Sequence, residues 1–178
     1  NNITYVNTDS DNPTTGNRTV RFVLTDGDGG TSANIDTTVA VSAVNDLPTI
    51  ANLSGDTLNY TEGAAASIIN QGTAATVTDV DSANFDTGTL TVSFTAGSDS
   101  AEDILAIRNE GAGAGQIGVS GSNVTYGGVI IGTFVGGSGG ANLVITFNTS
   151  ANATSAAALL NNITYVNTDS DNPTTGNR

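Results

Sequence analysis

The residues able to do chemistry in this chain are acids, and they come two at a time. Asp9 and Asp11 sit in TDSDNP, Asp26 and Asp28 in TDGDGG, and Asp79 and Asp81 in TDVDS. The first motif returns as Asp169 and Asp171, Asn45 and Asp46 are adjacent in AVNDLP, and Glu62 stands alone in YTEG. Two carboxylates at i and i+2 of a turn send oxygens into one space, where they repel, and a hard cation relieves that repulsion. Calcium accepts about six to eight oxygens at ~2.3–2.6 Å in flexible geometry, which suits loops of Asp, Asn and Gly. Asp-x-Asp and Asp-Gly are also good turn formers with no metal at all. One pair alone favours the turn-forming reading; three pairs and an Asn-Asp step together favour Ca2+. An EF-hand is not implied, because its closing Glu and flanking helices are missing.

Composition removes most other chemistry. The chain has no His, Cys, Met or Trp, so imidazole acid/base catalysis, thiol nucleophiles and soft metal ligands are excluded. A carboxylate-pair glycosidase needs two acids across a cleft, and turn-borne pairs do not suggest one; the chain is expected not to be an enzyme. Seventeen acids against four basic residues give a net charge of −13, which disfavours nucleic acid and anionic membrane surfaces as partners. No apolar run is long enough to cross a bilayer, so no membrane insertion is expected. No signal peptide is evident, as expected of a window inside a longer secreted chain. A hydrophobic content of 37% in patterned runs argues for folding over disorder.

The elements that must position the acids are short strands. Val20, Phe22 and Leu24 alternate with polar neighbours, the period-two mark of a half-buried strand. Similar runs are predicted at Ile35–Val44, Thr57–Tyr60, Ala74–Thr78, Thr89–Thr95, Ile104–Ile107, Gln116–Val119, Asn123–Tyr126, Val129–Val135 and Asn142–Asn148. Gly, Asn, Asp and Ser punctuate them at the spacing of an all-β, antiparallel sandwich. Thr154–Asn161, TSAAALLN, breaks the habit and reads as one short helix packed by Leu159 and Leu160. The glycine runs at 111–115 and 135–140 are turns, since a phosphate cradle would need a Lys and a following helix.

Above the strands is a repeat: Asn1–Arg18, NNITYVNTDSDNPTTGNR, returns unchanged as Asn161–Arg178, a period of 160 residues. Such identity marks a unit of a tandem array, an organisation that serves length and avidity better than catalysis. Pro48 in AVNDLP punctuates the chain, so residues 1–46 are expected to be the closing strands of one repeat and residues 47–178 most of the next, joined by a linker over about 43–50. Residues 45–48 reach at most ~14 Å, whereas a strand of eight residues runs ~26 Å. The leading segment is therefore expected to complete the sandwich of another molecule by strand complementation, head to tail.

The ordered series ITYVN, TDGDGG and AVNDLP, with DVDS beyond it, resembles the cadherin-like tandem repeats of giant bacterial surface adhesins, including the RTX type. The resemblance implies an Ig/cadherin-like β-sandwich and an extender role: repeats joined end to end, stiffened by Ca2+ at their junctions, projecting a distal binding region from the surface of a bacterium that secretes them. It places Asn45 and Asp46 at the linker site, with Asp79 and Asp81 at the near pole of the following domain. Asp26 and Asp28 fall at the near pole of their own domain, and Asp9, Asp11 and Glu62 at the far pole. Two departures stand out. The linker is shorter and less acidic than in classical cadherins, and the period is longer than a sandwich of ~100 residues. The alternative is a module that itself binds carbohydrate or ice. Few aromatics are present for stacking on sugars, and TTVAVS is too short for a flat Thr array.

Overall fold

A computed structural model describes residues 2–178. The chain divides into two compact units, one ending at Leu47 and the other Pro48–Arg178. The first is a single antiparallel hairpin of β1 (Gly16–Phe22) and β2 (Ile35–Val41), paired so that Arg18 faces Val39, Val20 faces Thr37 and Phe22 faces Ile35. Period-two alternation then puts Arg18, Val20, Phe22, Ile35, Val39 and Val41 on one face, and Thr19, Arg21, Asp36 and Thr38 on the other. Arg21 and Asp36 form an exposed ion pair on the polar face (2.8 Å). None of the described residues before Pro48 is buried.

The second unit holds the core. Its strands in chain order are β3 (Thr49–Ala51), β4 (Ser67–Ile68), β5 (Thr76–Thr78), β6 (Thr89–Val92), β7 (Asp103–Ile107), β8 (Ile117–Ser120) and β9 (Asn123–Tyr126). They continue with β10 (Val129–Val135), β11 (Leu143–Phe147), the helix α1 (Ala153–Leu160) and β12 (Ile163–Asn167). Five strands form one antiparallel sheet in the order β6-β11-β10-β9-β8, three form another in the order β4-β12-β7, and β3 pairs with β5. The architecture is all-β and sandwich-like with one short helix. Leu143, Ile145 and Phe147 of β11 alternate inward onto Ile117, Val124, Ile131, Leu159 and Ile163. A bulge between Ile130 and Gly132 of β10 breaks that sheet's alternation and buries Ile131.

The short helix is fixed at both ends by asparagine. Asn152, ahead of the expected Thr/Ser start, forms a capping box with Ser155: its side chain accepts from the Ser155 N–H (3.0 Å), and its own N–H donates to Ser155 Oγ (2.9 Å). At the other end Asn161 donates to the Ala157 and Ala75 carbonyls and accepts from the Ala75 N–H and Asn70. That tie fastens the helix to the start of β5.

Three expectations change. Thr57–Tyr60 alternates like a strand but pairs with none; Leu58 and Tyr60 instead line a groove, Tyr60 edge-on to Tyr165 at 4.9 Å. The expected linker gives way to β3 at Thr49, directly after Pro48, and β4 is too short to leave a periodic signal. The strand at Val20 stops at Phe22, because the Leu24 N–H turns to Ser32 Oγ (2.9 Å).

Candidate functional site

Each acidic pair folds as a turn in which the first acid holds the second. Asp9 Oδ1 accepts from the N–H groups of Asp11 (3.2 Å) and Asn12 (3.0 Å), and Asp169 Oδ1 does the same for Asp171 (2.9 Å) and Asn172 (3.0 Å). Asp26 Oδ1 takes the N–H groups of Asp28 (2.9 Å) and Gly30 (3.0 Å), while Asp79 Oδ1 takes those of Asp81 (3.3 Å) and Ser82 (3.0 Å). These donors hold the Asp26 and Asp169 carboxyls below the usual carboxylate range. Burial pushes Asp79 the other way, but the bonds from Ser82 and Asp81 outweigh it and the net shift is downward. Asp11, Asp28 and Asp171, the second members, are exposed; Asp81 is half-buried. Asn45 donates to the carbonyl of its neighbour Asp46 (2.6 Å), and Glu62 sits exposed in the turn after Tyr60.

The turn-forming reading of these motifs is therefore realised in all four copies. Among the described residues no three acids converge as a group able to hold a metal ion. Within each pair the first member holds the backbone N–H of the second. The donors are hard oxygens of the kind calcium prefers, but two carboxylates per turn fill only part of a shell of about six to eight.

A second acidic centre escaped the sequence reading. Asp103, at the start of β7 and 3% exposed, accepts from Tyr165 Oη (2.6 Å), Asn167 Nδ2 (3.1 Å), the Asp99 N–H (2.7 Å) and Arg178 Nε (2.6 Å). Beside it Glu102 accepts from Asn167 Nδ2 and the Thr174 N–H, both at 3.0 Å. Burial opposes ionisation of Asp103, yet the donors from Tyr165, Asp99, Arg178 and Asn167 prevail and lower its pKa. Burial and the Asp103 carboxylate push the Tyr165 phenol up. Tyr165, Asn167, Thr174 and Arg178 all belong to the repeated segment, so this cluster is where that segment is recognised by the rest of its unit. One sequence signal pointed to it: Arg18 and Arg178 are two of only four basic residues in a chain with seventeen acids.

No protein-family model, curated protein or solved structure matches the chain. Among the described residues no helix is long and apolar enough to cross a membrane.

Proposed function

We propose that the chain is an extender repeat, one unit of a cadherin-like tandem array in a secreted bacterial surface adhesin, with spacing as its work and no catalysis. The observation that carries this reading is the eighteen-residue identity at a 160-residue period, whose second copy is an integral central strand of the sandwich-like unit. A duplicated tag would have no reason to be built into a core. The acidic turns support the junction role, because each gathers two carboxylates within one short turn.

In this reading Asn45, Asp46, Asp79 and Asp81 supply oxygens at a junction, joined by Asp26 and Asp28, while Asp9, Asp11, Asp169, Asp171 and Glu62 serve the opposite end. These residues would hold Ca2+, which would supply the positive charge that lets their carboxylates stay close. Bound calcium would offset the like charge gathered in these turns, and the joint between repeats would stiffen. A calcium titration of a multi-repeat array, followed by small-angle scattering, is expected to lengthen the maximum dimension. An array whose dimension ignores both calcium and chelator would overturn the proposal.

A further inference from the structure

We propose that the Asp28–Gly29 step is a site of covalent modification, at which the Asp28 side chain closes onto the Gly29 amide as a succinimide and reopens as an isoaspartyl residue. The inference goes beyond the spacer reading and does not depend on it; no metal is involved.

The chain contains two Asp-Gly steps, at 26–27 and at 28–29, both in the loop between β1 and β2. Glycine has no Cβ to hinder the approach to its amide nitrogen, so these are the steps at which a carboxyl most easily reaches the main chain. On sequence alone the two are equivalent. The structure makes them unequal.

Asp26 is tied down. Its Oδ1 accepts from the N–H groups of Asp28 (2.9 Å) and Gly30 (3.0 Å), and its Oδ2 lies so close to Gly30 that a methyl group there would overlap it. Ring closure at Asp26 has to break both bonds and to start from the protonated carboxyl, which the same bonds disfavour by holding the group below its usual range. Asp28 carries neither restraint. Its side chain is exposed and, among the described residues, its carboxylate accepts no hydrogen bond. Gly29 is exposed too, and the space where a Cβ would stand is open.

The frame of the loop leaves this step outside it. Thr25 bridges Thr31, the Ser32 N–H donates to the Leu24 carbonyl (2.8 Å), and the Asp26 N–H donates to the Gly30 carbonyl (3.2 Å), so residues 27–29 form the tip. An extra main-chain atom at position 28 is absorbed in that tip, and the register of β1 with β2 stays as it is. What moves is the charge: an isoaspartyl carboxylate hangs directly from the α-carbon, nearer the main chain than before.

The chemistry balances with water alone. The Gly29 nitrogen bonds to Cγ of the protonated Asp28 carboxyl, the Cγ–OH bond breaks, and the hydroxyl leaves with the amide proton as water. Water then adds to the ring. Opening at the side-chain carbonyl restores Asp28, whereas opening at the main-chain carbonyl leaves the chain running through the side chain, with no net change in mass.

The intact chain is incubated in chelator at about pH 5, where an ordinary carboxyl keeps a protonated fraction, beside the same chain in urea. Electron-transfer fragmentation of its peptides separates isoaspartate from aspartate. In the folded chain isoaspartate is expected at position 28 several-fold above position 26, and in urea the two positions should approach equality. Hydroxylamine, which traps succinimides, should mark the same step. Asp28→Glu, whose longer side chain would have to close a larger ring, should remove the product at 28 and leave position 26 as slow as before. Equal modification of the two steps in the folded chain, a preference for 26, or no isoaspartate at either overturns the proposal. Chelator keeps the outcome independent of the calcium titration, so either reading can fail alone.

Discussion

The same eighteen residues occur twice in this molecule and adopt two structures. At 163–167 ITYVN is the central strand β12, with Ile163 4% and Tyr165 9% exposed; at 3–7 the same letters form no strand, and Ile3 and Tyr5 are 78% and 46% exposed. Yet the turn after it is built alike in both, with Asp9 and Asp169 capping the same N–H groups and Arg18 and Arg178 both donating to the carbonyls of Thr14 or Thr174 and Gly16 or Gly176. The turn is encoded locally, by Asx and Arg bonds reaching four residues or fewer. The strand is encoded by its neighbours: β4 and β7 on either side, and Asp103 at its end.

The largest asymmetry belongs to the buried ion pair. Arg178→Ala or Asp103→Ala leaves one charge buried without its partner, and the unfolding free energy of residues 48–178 should fall by about 3–5 kcal/mol. Arg18→Ala, the identical change in the other copy, should stay within ~0.5 kcal/mol. Urea unfolding of the three variants measures both, and equal losses would mean that the first copy is also seated.

Next is the apolar strand residue. Ile163→Ala removes a side chain packed in the core and should cost about 2–5 kcal/mol, whereas Ile3→Ala should be nearly silent. A smaller effect is expected from Asn162→Ala. Asn162 accepts from Arg108 Nε (2.8 Å) and donates to the Ala158 carbonyl (3.0 Å), and losing both should cost about 1–3 kcal/mol. Asn2, its exposed twin, should tolerate Ala in the same thermal scan.

Legibility in the sequence obeys the same division between local and distant causes. Asn123–Tyr126 and Val129–Val135 are β9 and β10 with the expected bounds, because alternation and flanking glycines are local signals. The helix differs by one residue at each end, its first cap being Asn152 rather than a Thr or Ser. Thr57–Tyr60 has the strand pattern but no partner to pair with, and pairing is decided elsewhere in the chain. Among the acids, each pair could be read as a turn. Asp103 could not be read from spacing, since its donors come from residues 99, 165, 167 and 178 and no spacing rule links them; the scarce Arg178 was the one signal.

Acid should separate the two copies by the smallest margin. The pKa of Asp103 in the folded unit lies below its ordinary value, so the unfolded chain binds the proton more readily. Its stabilising contribution is therefore fully present above the unfolded pKa of about 3.9 and is lost as pH falls through the lower folded value. Asp169, also lowered, acts in the same direction from the half-buried turn after β12, where solvent screens part of the effect. The unfolding midpoint of residues 48–178 is thus expected to be level near neutrality and to drop below about pH 4. Asp103→Asn, which removes the titrating group while keeping an acceptor oxygen, should lower the midpoint at neutral pH and flatten its acid limb. Arg178→Ala, which takes away one of the donors that lower the Asp103 carboxyl, should also flatten the limb, whereas Arg18→Ala should not; an equal flattening by both would show the first copy seated like the second.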